Sequence, residues 1–222
     1  MDELLKTERK RKMCNRMDYE MPTSRQLAAA ARYGINVTSE MDAQDVSDLL
    51  SRHLRQDPKE PNPGLIEFAL NRGIHFANGI GKRALYNRIW EQLPRYDKFA
   101  FFSFCVYRYL SDDRCIANMD KSPHKESFYK FADRCMKFAR YTECLEDFDG
   151  EELRCFGELI INKGESSEDF VGGGDTDSDL YNDAVVFLIE NGLITEEQDV
   201  TTKFVHIDGY IPTEYAPVYD YE

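Results

Sequence analysis

Residues 23–54 read TSRQLAAAARYGINVTSEMDAQDVSDLLSRHL, and residues 62–93 read NPGLIEFALNRGIHFANGIGKRALYNRIWEQL. Side by side they align without a gap at a constant offset of 39. Leu27 falls on Ile66, Ala30 on Ala69, Gly34-Ile35 on Gly73-Ile74, Val37 on Phe76, Met41 on Ile80, Val46 on Leu85, Leu50 on Ile89 and Leu54 on Leu93. Apolar positions, glycine and spacing recur together, which marks one supersecondary unit used twice. In the first copy Thr23 or Ser24 caps a helix with Leu27, Ala30 and Ala31 on one face, and Gly34 ends it in the left-handed conformation. Residues 35–37 then cross extended, and a second helix opens near Asp42 and buries Val46, Leu49 and Leu50. Pro58, Pro61 and Pro63 forbid a continuous helix between the copies. Each copy is too small to hold its own core, so the pair is expected to pack together or on the segments C-terminal to it.

Beyond the repeat, Phe99, Phe101, Phe102, Phe104, Cys105, Val106, Tyr107 and Leu110 leave residues 98–110 no polar face. A helix apolar all round is a buried one, expected here at the centre of the fold with Asp97 as its cap. Ser122 and Pro123 are read as the start of the next helix. Its residues Phe128, Phe131, Cys135, Phe138 and Ala139 share one face over about five turns. Lys121, Lys125, Lys130, Arg134, Lys137 and Arg140 give it a basic exterior. Between residues 144 and 161 the pattern predicts a turn at Asp149-Gly150, then a helix burying Leu153, Phe156 and Ile160.

Residues 163–178 are polar and glycine-rich, a loop. Asp175, Asp177 and Asp179 stand where a phosphate cradle needs a lysine, and Leu180 and Val186 where a calcium loop needs Gly and Glu. Neither site is expected. A helix over 180–190 buries Ala184, Phe187 and Leu188 and stops at Asn191-Gly192. Residues 204–207 and 210–211 flank Asp208-Gly209, a short hairpin signal, and Pro212 confines the second strand to an edge. The predicted fold is mainly α: a tandem helix-extended-helix repeat packed on a helical core, with a small C-terminal β-hairpin. The segments are a basic arm (1–21), the repeat (22–95), the helical core (96–161), and an acidic helix, hairpin and tail (162–222).

Composition sets the remaining bounds. A chain of 222 residues with 42% hydrophobic and 13% aromatic content can fill a core. Nine charged side chains in the first 17 residues argue against a secretory signal, and the longest apolar run, residues 99–107, falls far short of the ~20 a membrane helix needs. A cytoplasmic protein is expected. Its six cysteines, Cys14, Cys105, Cys115, Cys135, Cys144 and Cys155, contain no CxxC pair and read as reduced thiols. The net charge of −13 hides a split: residues 143–222 carry 22 acids against three bases, a net of −19, while residues 1–142 are at +6. Such polarity favours a basic partner at one end and admits a polyanion at the other.

In the second copy a leucine-rich helix, Gly73-Ile74, then Gly81-Lys82, Leu85 and Arg88-Ile89 succeed one another. This order resembles the SAP motif and its helix-extended-helix relatives, small DNA- or RNA-binding modules, over about 30 residues per copy. The resemblance implies phosphate contacts at the second helix's N-terminus by Gly81, Lys82, Arg83 and Arg88, since free amides and the helix dipole favour an anion there. The first copy departs from it, with Asp42, Ala43 and Gln44 at the equivalents of Gly81, Lys82 and Arg83.

His53, His75, His124 and His206 lack zinc spacing, and no Walker A, GxSxG or kinase signature is present. No enzyme, metal or cofactor is expected, with a cysteine nucleophile as the catalytic alternative. Size, acidity and lack of catalytic motifs are similar in composition to DNA-mimicking anti-restriction and anti-CRISPR proteins of phages. That likeness implies an inhibitor whose carboxylates, Asp175, Asp177, Asp179 and Asp183, occupy a basic nucleic-acid-binding surface of a partner protein. Direct DNA or RNA binding through residues 62–95 is the alternative.

Overall fold

The computed structural model describes residues 20–111, 115–154, 156, 159–161, 170–172, 176 and 178–195. In them the chain is mainly helical. Residues 1–19, Asp175, Asp177 and the hairpin expected over 204–211 lie outside the described residues. The chain divides into two compact units, Met1–Pro61 with Phe76–Ala84, and Asn62–His75 with Leu85–Glu222. The boundary falls inside the stretch 22–95 that the sequence reads as one segment.

In the first unit, α1 (Ser24–Arg32) opens on a capping box: the Thr23 side chain accepts from the Gln26 amide at 3.2 Å, and the Thr23 amide donates to Gln26 Oε1 at 2.9 Å. Ala30 is buried, but Leu27 is 43% exposed and Ala31 is also outside, contrary to the face expected from sequence. The lone methyl of Ala30 permits close approach to α2, and so narrow a strip leaves the neighbouring positions uncovered. α2 (Ala43–His53) carries its own box, with the Asp45 amide donating to Asp42 Oδ1 at 2.7 Å and the Asp42 amide to Asp45 Oδ2 at 3.3 Å. It buries Val46 together with Asp45 and Asp48, and Leu49 and Leu50 are only half-buried.

The next two helices are α3 (Pro63–Asn71), with Asn62 as N-cap and Pro63 in the tolerated first turn, and α4 (Lys82–Gln92). Their first and last residues stand 39 positions after those of α1 and α2. Local bonds recur at the same offset. Ile35 N donates to Ala30 O at 2.9 Å and Ile74 N to Ala69 O at 3.0 Å, after Gly34 and Gly73 at φ +70° and +66°. Ala43 N donates to Glu20 O at 2.7 Å and Lys82 N to Lys59 O at 2.9 Å.

The core of the second unit is α5 (Arg95–Leu110), which buries residues on every side. Asp97 is not its cap: the helix starts earlier, at N-cap Pro94, and puts Asp97 in the first turn, where it accepts from Tyr129 Oη at 2.9 Å. Around α5 the aromatic rings form two contact groups, one through Phe101 and Phe104 and one through Phe102. Phe68 stacks on Phe101 at 5.2 Å, Phe102 meets Phe148 at 4.9 Å and Phe156 at 5.2 Å, and Phe104 meets Phe128 at 5.4 Å. Each such ring contributes about 1.5–3 kcal/mol by leaving water. Ser103, the polar residue in the middle, is reconciled by donating to Ala100 O at 2.9 Å.

After a 3-10 turn (Met119–Lys121), the single helix read over 122–140 is two. α6 (Lys125–Cys135) begins after N-cap His124, not Ser122-Pro123, and α7 spans Ala139–Glu146. Phe138 between them is extended (φ −124°, ψ 115°) and 48% exposed, so it does not continue the buried face. The turn instead lets Tyr141 and Leu145 enter the core. α8 (Gly150–Arg154) is short. Ile160 lies not in a helix but in β1 (Leu159–Ile161), antiparallel to β2 (Phe170–Gly172), with Ile160 opposite Val171. α9 (Asp179–Glu190) is capped by Ser178 and buries Ala184, Phe187 and Leu188, as the sequence pattern predicts. It ends with Leu193 N on Leu188 O at 2.9 Å beyond Gly192. No helix among the described residues is long and apolar enough to cross a membrane.

Candidate interaction surfaces

At the start of α4 the sequence places a phosphate contact, but the structure places a carboxylate. Asp57, almost fully buried, accepts from the Ala84 amide at 3.0 Å through Oδ2 and from the Arg83 amide at 3.2 Å through Oδ1. Those amides are the donors an anion would use, and the helix dipole is already answered. Gly81 belongs to the same arrangement. A Cβ there would overlap the Asp57 side chain, so the missing side chain makes room for a carboxylate of the chain itself and not for a ligand. In the first copy the aligned position is Asp42, which caps its helix with its own carboxylate. Both helices therefore begin on an aspartate, delivered from different places in the sequence. Lys82 and Arg83 remain half-buried, whereas Arg88 is 2% exposed and cannot meet a phosphate at the surface without opening the core.

The aspartates chosen as partner contacts divide differently. Asp175 and Asp177 lie outside the described residues. Asp179 is exposed in the first turn of α9. Asp183 is taken by the chain: its Oδ1 accepts from Arg134 of α6 at 2.7 Å, and Glu190 Oε2 holds the same guanidinium at 3.3 Å. The acids that stay exposed include Glu143, Glu146, Asp147 and Asp149 along α7 and the turn after it. The sequence counted them in the total without setting them apart.

The basic exterior read for α6 is likewise half spent. Lys121 pairs with Glu67 at 2.5 Å and Lys125 with Asp120 at 2.9 Å. Arg72 also binds Asp120, donates to Tyr129 Oη at 2.9 Å and lies 3.9 Å over the Phe68 ring. Burial pulls the Asp120 carboxyl upward, but the hydrogen bonds from Arg72 and Lys125 outweigh it and hold the group below its usual range. Burial, reinforced by Asp97 as acceptor, pushes the Tyr129 phenol up to about 12, so it stays a donor. This network spans 48 residues between Arg72 and Asp120, and only a fold brings it together.

The thiols show little nucleophilic character where they are deep. Burial raises Cys105 and Cys135 to about 12 each, so both are protonated at neutral pH. Cys115 is exposed and Cys144 half-buried; Cys14 and Cys155 lie outside the described residues. No family model, no curated protein and no solved structure matches the chain.

Proposed function

We propose that the protein is a non-catalytic interaction protein of nucleic-acid machinery, built on a duplicated helix-extended-helix unit, whose acidic C-terminal portion occupies a basic nucleic-acid-binding surface of a partner. Phage-type anti-defence inhibitors work in this manner. The observation that carries the reading is the segregation of charge: 22 acids against three bases from residue 143 onward. Glu143, Glu146, Asp147, Asp149 and Asp179 are all exposed there. Carboxylates fixed on helices present charge at set spacings, as phosphates do, and a field of this sign steers a basic partner into contact. The filled start of α4 argues against the alternative in which the chain itself grips DNA there.

The test is competitive elution. The immobilised chain, exposed to a host lysate at low salt, retains nucleic-acid-binding proteins that short duplex DNA then displaces. Converting Glu143, Glu146 and Asp147 to their amides together with Asp179→Asn lowers that retention by roughly tenfold or more, because the encounter is electrostatically steered. Retention that ignores both the substitutions and the DNA competitor overturns the reading.

A further inference from the structure

In the first unit the charges are sorted by depth. Asp42, Asp45, Asp48 and Asp57 are all buried, and each accepts a hydrogen bond from within the unit: Asp42 and Asp45 from one another's amides, Asp48 from the Gln44 side chain at 2.9 Å, and Asp57 from the amides of Arg83 and Ala84. Arg25, Arg32, Arg55 and Lys59 are exposed and form no ion pair with any described residue. The exposed acids of this unit, among the described residues, are Glu20, Glu40 and Glu60, and Glu60 is paired with Arg52. The aspartates that make the first copy look hostile to phosphate in the sequence are thus turned inward, and the outside of the unit is left positive.

A pair of rings lies in that surface. Tyr33, the C-cap of α1, meets His53, the last residue of α2, with ring centroids 4.8 Å apart and planes 38° from parallel. Tyr33 keeps 38% of its surface open, His53 is exposed, and the Arg32 guanidinium sits 6.0 Å from the Tyr33 centroid. Two residues beyond His53, Arg55 holds φ +62°, the one left-handed position among the described residues that is not a glycine; Gly34, Gly73, Gly79 and Gly192 take the others. A Cβ there is strained where glycine is not, so the fold gains nothing from arginine at 55, and the guanidinium it carries is exposed. Two helix C-termini contribute about −0.5 elementary charge each, which the full charges of Arg32 and Arg55 outweigh. We propose that this end of the first unit binds single-stranded nucleic acid, one base stacking on Tyr33 and backbone phosphates meeting Arg32 and Arg55. A ring among cations suits an unpaired base with its phosphates, whereas the base faces of a duplex are already covered. The surface is separate from the carboxylates assigned to partner capture, so either reading can fail without the other.

Fluorescence anisotropy of labelled oligothymidylate and oligouridylate, titrated with the full-length chain across a salt series and without any partner protein, tests this. Saturable binding of either strand is expected at low salt, with unlabelled duplex of the same length a weaker competitor than the single strand. Tyr33→Ala weakens binding by roughly five- to a hundredfold, the range for losing one base–aromatic stack, and Tyr33→Phe keeps it. Arg32→Gln with Arg55→Gln lowers the slope of log affinity on log salt by about 0.7 per substitution. Arg55→Gly separates binding from folding: it relieves the left-handed strain, so the urea midpoint holds or rises while affinity falls. Absence of binding to both strands overturns the proposal, as does a Tyr33→Ala or Arg55→Gly chain that binds as the wild type does. Duplex that competes as well as the single strand also overturns it, because the contact is then with phosphates alone.

Discussion

At the level of single side chains, Gly81 and Asp57 act as one feature. Gly81→Ala drives a methyl into the Asp57 carboxylate and displaces the cap of α4. It costs about 1–3 kcal/mol in urea unfolding. In an Asp57→Ala background the same substitution costs much less, and strict additivity of the two would disprove the shared origin. The sequence made Gly81 conspicuous but gave it the wrong neighbour: Asp57 is 24 positions away and sits among prolines that read only as a linker. Asp120 supplies a pH dependence. Its carboxyl is lower in the folded chain than in the unfolded one, so its stabilisation is whole above about pH 4 and is lost as pH falls through the folded value. Asp120→Asn is expected to cost about 1–3 kcal/mol at about pH 7 and to flatten the acid limb of the stability profile. Urea midpoints across pH check both, and an unchanged acid limb would remove Asp120 from the account.

Secondary elements were legible where no phase had to be chosen. The segment forming α5 is apolar on every side, so it is buried however the helix is rotated, and it is the best buried element described. Phe101→Ala there removes contacts to Phe68, Tyr86 and Phe104 and is expected to cost about 3–5 kcal/mol. Leu70→Ala on the 61% exposed position of α3 changes stability by no more than about 0.5 kcal/mol. Chemical denaturation of the pair separates core from surface; equal losses would contradict the burial. The stretch 122–140 misleads for a physical reason: Phe138 keeps a helical spacing from Cys135, and Met136-Lys137 contain no helix breaker to announce the turn. Leu27 is misplaced by the same logic, since periodicity reports which side chains share a face and not how wide a strip the neighbouring helix covers.

Across the whole molecule, the sum of charge could be counted from the sequence, but its neutralisation could not. Arg134 meets Asp183 and Glu190 across 49 and 56 residues, while Glu143, Glu146, Asp147 and Asp149, on α7 and in the turn after it, stay exposed. With a net charge of −13 and a carboxylate seated at α4, Lys82→Glu with Arg83→Glu leaves duplex DNA affinity and its salt slope unchanged in the full chain. A titration in which the slope falls by about one per substitution would instead restore direct phosphate contact. The two sealed sulfurs add a different use. Cys105 and Cys135 are protonated and buried, so iodoacetamide reaches them only when the interior breathes, while Cys115 reacts from the outside. The ratio of those labelling speeds is a clock already built into the chain, one that times its transient openings without any added probe.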